Sequence, residues 1–188
     1  MKVNEIFYSL QGEGHYTGTP AVFLRLSGCN LACPFCDTQH HKGTEMTNDE
    51  IVRAISKYPA RHLVITGGEP TLQLTDEFIE LLHHEGWFVQ IETNGTLPVP
   101  EGIDWVTCSP KEGGEVVLSE VDELKLLYPT AISPEEEALP RAKERRLQPV
   151  DLGDEARNKE IIEQTIDYLL SHPEWKLSLQ THKILNVR

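Results

Sequence analysis

Long hydrophobic runs are missing from this sequence, and so is a basic N-terminal segment leading into an apolar core. The first absence excludes a bilayer-spanning helix, and the second speaks against secretion. Basic charge is scarce as well. Seventeen Lys and Arg face 30 Asp and Glu, a formal charge of −13. That balance excludes a general electrostatic grip on nucleic acid or an anionic membrane and leaves room only for a local basic pocket. Cysteine is limited to four residues, three of them within eight positions. Such spacing is no secreted disulfide framework and suits a metal site in a reducing cytoplasm. Repeats, low-complexity tracts and linker-like segments are absent, so residues 1–188 are expected to form one domain around one core. No paired-carboxylate or activated-nucleophile motif stands out.

Short apolar or alternating runs at 21–26, 62–65, 88–91, 105–107, 123–127, 147–150 and 177–180 predict strands. Helices are predicted between them. Thr47 and Glu50 form a capping box ahead of Ile51, Val52 and Ile55. Phe78, Ile79, Leu81 and Leu82 mark a helix over about 76–85, which Gly86 closes. Ser133-Pro134 with Glu136 opens a third helix, and a fourth runs over about 158–171. Strand, helix, strand, helix, strand over 21–91 favours parallel right-handed crossovers. Two later connections are too short for helices, and a complete eightfold barrel takes about 250 residues. The expected fold is therefore α/β, an incomplete TIM-like barrel with some crossover helices missing. A doubly wound sheet is the alternative.

The unusual polar residues fall just after predicted strands: Cys29 to Cys36, Thr66-Gly67-Gly68-Glu69, Glu92-Thr93-Asn94-Gly95, Ser109-Pro110-Lys111 and Gln148-Pro149-Val150-Asp151. In a parallel sheet or barrel these loops emerge on one rim, so the pattern describes one site. Three thiolates leave one iron of a 4Fe-4S cluster without a protein ligand. Zinc is the competing reading, with His40 and His41 completing the set. Cys108, at a strand end, reads as a packed side chain. Gly67 and Gly68 serve either a turn of positive φ or the close approach of a ligand to bare backbone. Arg25, inside the apolar run Phe23-Leu24-Arg25-Leu26, requires an anion. Lys111, Lys125, His182 and Glu92 face the same rim, where salt bridges and proton transfer explain them about equally well.

Cys29-x-x-x-Cys33-x-x-Cys36, with aromatic Phe35, resembles the cluster loop of the radical S-adenosylmethionine superfamily. Phe7-Tyr8-Ser9-Leu10-Gln11-Gly12-Glu13-Gly14, Gly18, Arg25, Cys36-Asp37-Thr38, Ser109-Pro110-Lys111, Gln148 to Asp151 and Gln180-Thr181-His182-Lys183 narrow the match. Over nearly the whole chain they are similar to the 7-carboxy-7-deazaguanine synthase family. The resemblance implies the partial barrel of the radical S-adenosylmethionine type. It also implies a radical-mediated ring contraction of 6-carboxy-5,6,7,8-tetrahydropterin with loss of ammonia, on the route to queuosine and other deazapurines. In that family the cluster's open iron chelates S-adenosylmethionine, whose cleavage gives a 5′-deoxyadenosyl radical.

Carried over by position, the resemblance implies that Cys29, Cys33 and Cys36 ligate the cluster. Phe35, Cys36, Asp37, Gly68, Ser109, Pro110, Lys111, Gln148, Pro149, Val150 and Asp151 would line the S-adenosylmethionine site, and Thr38 would ligate Mg2+. Leu10, Gln11, Gly12 and Thr66 would hold the pterin, and Arg25 its carboxylate. The family sets its C-terminal residue against the substrate, a Pro where this sequence has Arg188. An electron-donor protein such as flavodoxin and a homodimer are implied as well, with the apolar C-terminal stretch as an interface. A glycyl-radical activase is the competing enzyme, and an iron-sulfur carrier or zinc-stabilised module the competing non-enzyme.

Overall fold

The computed structural model describes residues 1–33, 36, 40–135 and 138–188. Its strands are β1 (Lys2–Leu10), β2 (Pro20–Leu26), β3 (Thr44–Glu45), β4 (His62–Gly67), β5 (Phe88–Thr93), β6 (Trp105–Cys108), β7 (Glu120–Tyr128), β8 (Arg141–Pro149) and β9 (Lys176–Leu177). Its helices are α1 (Asn48–Ile55), α2 (Asp76–His84), α3 (Glu155–Ser171) and α4 (Thr181–Leu185). The sheet runs β3-β1-β2-β4-β5-β6-β7-β8-β9. It is parallel from β2 through β9 and antiparallel where β1 joins β2 and β3. Among the described residues the two ends of the order do not pair, which makes this the expected incomplete barrel. Among the described residues, no helix joins β5 to β6, β6 to β7 or β7 to β8, and none is long and apolar enough to cross a membrane.

Period-two alternation sorts each strand between two environments. Leu24 and Leu26 of β2, Leu63 and Ile65 of β4, and Val89 and Ile91 of β5 face outward. They pack under Ile51 and Ile55 of α1 and Phe78, Ile79 and Leu82 of α2 in the main core. Farther along, Cys108, Leu124, Leu126 and Leu147 pack with Trp175 in a second core. The alternate residues point to the inner face, where Phe7, Ala21, Phe23 and Val64 form an apolar cluster. Much of the rest of that face is polar, including Gln90, Thr107, Glu123, Lys125 and Gln148, with Leu10 and Leu127 beside them.

The loop after β1 fills the inner face at the N-terminal ends of the strands. Gln11 N–H donates to Thr19 O at 2.8 Å and Gly18 N–H to Gln11 O at 2.7 Å. These bonds close a loop that uses the positive φ of Gly14 and Gly18. His15 stacks on Trp105 with ring centroids 4.4 Å apart, and Tyr16 meets His62 and Trp105 edge-on at 4.8 and 5.2 Å. The inner face opens toward the C-terminal strand ends.

Local signals acted as the sequence predicts in α1, where Thr47 and Glu50 form the capping box. Other expectations need correction. The helix predicted from Ser133 rests partly on Glu136, which lies outside the described residues; the described residues around it form turns and bends, and Ser133 Oγ accepts from Glu135 N–H at 3.2 Å. The last long helix begins at Glu155 rather than 158, because the Asp154 carboxylate caps it by accepting from Arg157 N–H at 3.1 Å. β1 was not expected as a strand, and β8 starts at Arg141 instead of 147. Their charged residues fit because the inner face supplies partners, as for Glu144, which pairs with Lys176 at 2.7 Å.

The ends of β2 and β4 lie unusually close. A Cβ on Gly67 would stand 2.2 Å from Leu26 O, with φ at +152°. Gly67→Ala is expected to destabilise the fold by about 1–3 kcal/mol through this overpacking, seen as a lower urea midpoint with an unchanged slope.

Candidate active site

A cavity of about 370 Å³ opens at the C-terminal ends of the parallel strands, within the usual size range of small-molecule sites. Nearly every described residue singled out from sequence reaches it. Leu10, Gln11, Gly12, Arg25, Cys29, Cys33, Cys36, Thr66, Gly68, Ser109, Lys111, Gln148, Pro149, Val150, Asp151 and Arg188 all line it. Pro110 does not: it is buried beneath the rim while Ser109 and Lys111 face the cavity. Phe35, Asp37 and Thr38 lie outside the described residues.

The cysteine loop is held by the loops beside it. Gly68 N–H donates to Leu26 O at 3.2 Å and Glu69 N–H to Gly28 O at 2.8 Å. A Cβ on Gly68 would stand 2.0 Å from Gly28 O. The glycines therefore first admit the backbone of the cysteine loop, and Gly68 then offers a bare wall to the cavity. Glu69 is fully buried. Its carboxylate accepts from Thr71 N–H at 3.1 Å, Thr71 Oγ1 and Thr93 Oγ1 at 2.7 Å each, and Asn94 N–H at 2.7 Å. These bonds replace the water it loses. Asn94 continues the chain of contacts, donating to Asn30 Oδ1 at 3.1 Å. Three successive strand ends are thereby tied to the loop that carries the thiols.

The donor chemistry fits an iron-sulfur cluster, since three thiols open onto one cavity beside backbone without a Cβ. Burial pushes the Cys33 thiol up, against the nearby charge of Lys111. Among the described residues no three His, Cys, Asp or Glu side chains are already gathered to hold an ion; metal binding commonly completes its own ligand arrangement. Cys108 is packed, as expected, with burial raising its thiol to about 12. Lys111 donates to Ser109 O at 2.7 Å and Ser109 Oγ at 2.5 Å, and burial pulls its ammonium below the usual lysine range. Asp151 is held at about 2 by Lys183 at 2.6 Å, Gly153 N–H and Asn158.

Arg25 has the anion its position demands, and it comes from the chain: Nε donates to Glu5 Oε1 at 2.9 Å across the β1–β2 ladder. Glu5 also pairs with Arg188, whose guanidinium lies 4.8 Å from the Phe7 ring centroid. The sequence reading missed Glu5 because nothing in β1 announces the pairing register. It also left open what Lys125 and Glu92 do. Lys125 Nζ donates to Glu13 Oε2 at 2.6 Å and to Glu92 Oε2 at 2.9 Å. Glu13 is thus held in the cavity wall. Burial would raise its pKa, but the Lys125 charge and hydrogen bonds from Lys125 and Gln180 hold it at about 2. Glu92 goes the other way, raised by burial beyond what Lys125 offsets.

A carboxylate held below its ordinary value of 4.5, as Glu13 is at about 2, stabilises the fold above the ordinary range and loses that contribution as pH falls toward its folded value. Glu13→Gln is therefore expected to cost most near neutral pH, with the gap from the parent protein closing between 4.5 and 2. Urea unfolding of both proteins across that window measures it.

Comparison with known proteins agrees with the geometry. Residues 24–119 match the model of the Radical SAM superfamily. A 7-carboxy-7-deazaguanine synthase of Bacteroides thetaiotaomicron is 54% identical, covering 100% of this chain and 98% of the relative. One of Bradyrhizobium diazoefficiens is 41% identical, covering 99% of this chain and 98% of the relative. The crystal structure of QueE from Escherichia coli superposes with a TM-score of 0.75 at 30% identity, covering 95% of this chain and 92% of that one. End-to-end likeness at this level, with the three cysteines on one cavity, places the chain in the 7-carboxy-7-deazaguanine synthase family of radical S-adenosylmethionine enzymes.

Proposed function

We propose that the chain acts as a 7-carboxy-7-deazaguanine synthase, contracting the ring of 6-carboxy-5,6,7,8-tetrahydropterin with loss of ammonia on the way to queuosine and related deazapurines. One observation carries the reading: the three cysteines, the Gly67-Gly68 turn and Arg25 open onto a single cavity in a chain that matches the family throughout. Gln11 and Arg25 lining that cavity favour a small substrate over the open peptide groove of a glycyl-radical activase.

When bound, a 4Fe-4S cluster and S-adenosylmethionine supply the carbon-centred radical that takes hydrogen from the substrate. The chain's own residues position and enclose. Cys29, Cys33 and Cys36 would hold the cluster through their thiolates. Phe35, Asp37, Gly68, Ser109, Lys111 and Gln148 to Asp151 hold S-adenosylmethionine, with Pro110 shaping the rim from below. The ionised Asp151 is suited to accept hydrogen bonds from hydroxyl groups. Leu10, Gln11, Gly12 and Thr66 hold the pterin, Arg25 takes its carboxylate, and Arg188 closes the mouth against Glu5 and Phe7. Thr38 would offer a hard oxygen to Mg2+, which would supply electrostatic stabilisation beside the substrate.

The working unit is a cytoplasmic homodimer reduced by a small electron carrier such as a flavodoxin, without direct contact to nucleic acid or membrane. The exposed Ile162, Ile166 and Leu170, spaced along one face of α3, suit a subunit interface.

Anaerobically reconstituted, reduced protein given S-adenosylmethionine, Mg2+ and carboxytetrahydropterin is expected to yield 7-carboxy-7-deazaguanine, identified by mass. Replacing any of Cys29, Cys33 or Cys36 by Ala should abolish both bound iron and product. Arg25→Met should raise KM for the pterin roughly 10- to 100-fold, the loss of one charge-assisted carboxylate contact. A protein that binds zinc instead of iron, or iron with no turnover of the pterin, overturns the reading.

A further inference from the structure

Asn30, Asn94 and Thr96 close a ring of hydrogen bonds beside Cys29. Thr96 N–H and Thr96 Oγ1 donate to Asn94 Oδ1 at 2.9 and 2.7 Å, and Asn94 Nδ2 donates to Asn30 Oδ1 at 3.1 Å. Asn30 Nδ2 donates back to Thr96 Oγ1 at 2.7 Å. The direction of the ring is forced. The Thr96 backbone N–H can only donate, so Asn94 turns its oxygen to Thr96 and its NH2 to Asn30, and Asn30 answers with its own oxygen and lays its NH2 on the Thr96 hydroxyl. Bonds linked in this way polarise and strengthen one another. Asn94 ties the ring to the interior, since its backbone N–H donates to the fully buried Glu69 carboxylate at 2.7 Å. Asn30 stands between Cys29 and Leu31, and the peptide that follows it aims Leu31 N–H at Cys29 Sγ, 3.4 Å away. Leu31 is confined from the other side, where a Cβ on Gly114 would stand 3.1 Å from Leu31 Cδ1 and 2.9 Å from Thr96 Cγ2. Asn30 and Thr96 lie outside the cavity lining, so neither belongs to the ligand contacts assigned above.

We propose that Asn30 is a positioning residue that raises the reduction potential of the cluster held at Cys29, by fixing Leu31 N–H on the Cys29 sulfur. The inference rests on the assignment of an iron-sulfur cluster to the three cysteines. Reduction adds one negative charge, part of which falls on the thiolate sulfurs, and an amide dipole aimed at such a sulfur favours the reduced form. Hydrogen bonds to sulfur are among the factors that set these potentials. An unanchored loop would share this N–H with water, whereas the ring keeps it on sulfur. Thr96 acts through Asn30: without its hydroxyl, the Asn30 NH2 loses its acceptor and Asn94 Oδ1 loses one of its two donors. The electron from a small carrier then enters a site already arranged for the charge it brings.

The test uses anaerobically reconstituted protein without S-adenosylmethionine or substrate. Iron is counted, and the cluster is titrated at poised potentials and read by electron paramagnetic resonance. Asn30→Leu removes both ends of the amide at similar volume, and Thr96→Val removes the hydroxyl from outside the cysteine loop. Both are expected to load iron to the parent level and to show a ratio of reduced to oxidised cluster about three- to tenfold lower at a given poise, a midpoint roughly 30–60 mV more negative for one electron. Thr96→Ser keeps the hydroxyl and should hold the parent midpoint. A ring that only braces the loop would instead cost iron and leave the midpoint of the loaded fraction in place. The parent midpoint in iron-loaded Asn30→Leu or Thr96→Val overturns the inference and leaves the assigned reaction standing. Failure of both variants to load iron overturns it too, because the ring then governs loading and not potential. If Asn30→Leu alone fails to load, Thr96→Val decides. A parent protein that takes up no 4Fe-4S cluster overturns the assigned chemistry, and the inference with it.

Discussion

Between the ends of β2 and β4, Gly68 N–H reaches Leu26 O at 3.2 Å and Glu69 N–H reaches Gly28 O at 2.8 Å, at a separation where any Cβ on Gly67 or Gly68 would overlap backbone. The cysteine loop begins at this contact, and its position on the rim follows from it. The constraint is passed sideways by Glu69, whose buried carboxylate fixes Thr93 and Asn94 at the end of β5, and from there by Asn94 to Asn30. A side chain at either glycine would separate the strand ends, and the thiols would lose their place relative to the rest of the cavity.

The second organising feature is the division of the sheet into a dry outer face and a polar inner one. Helices cover the outside, so it packs at the density of any α/β core. The inside is closed at one end by the loop after β1 and polar at the other, with Glu123 and Lys125 on successive inward positions of β7 gripping that loop from either side of Gly14. His15 N–H donates to Glu123 at 2.8 Å, and Glu13 accepts from Lys125 at 2.6 Å. A chain of net charge −13 thus gathers several of its cations, with their carboxylate partners, around the cavity where a substrate carboxylate is expected. Arg25, Lys111, Lys125 and Arg188 all face the cavity.

Much of the fold and the site was legible beforehand because the signals are local. Apolar runs such as 21–26 and 62–65 mark parallel strands covered by helices, and Thr47 and Glu50 announce a helix start with their own hydrogen bonds. The polar clusters after strands converged on one rim, with Glu69, Gly95 and Pro110 turned away from the cavity, because parallel strands place all such loops on the same side. β1 and β8 were harder to read. Their inward positions carry Glu5, Glu144 and Arg146, residues that resemble a solvated segment until partners on other strands are known.

By itself the sequence determined the chemistry on offer: three thiols at fixed spacing, a glycine pair after a strand, and a cation inside an apolar run, since spacing along a strand or loop is a covalent property of the chain. The tertiary structure alone decided what those groups meet. Arg25 faces Glu5 through antiparallel register, Gly67 and Gly68 face backbone, and Lys125 divides itself between residues 112 and 33 positions away. Such pairings are set by how strands of distant sequence are packed side by side, and the protonation of Glu13 and Glu92 follows from the burial and charge that this packing creates.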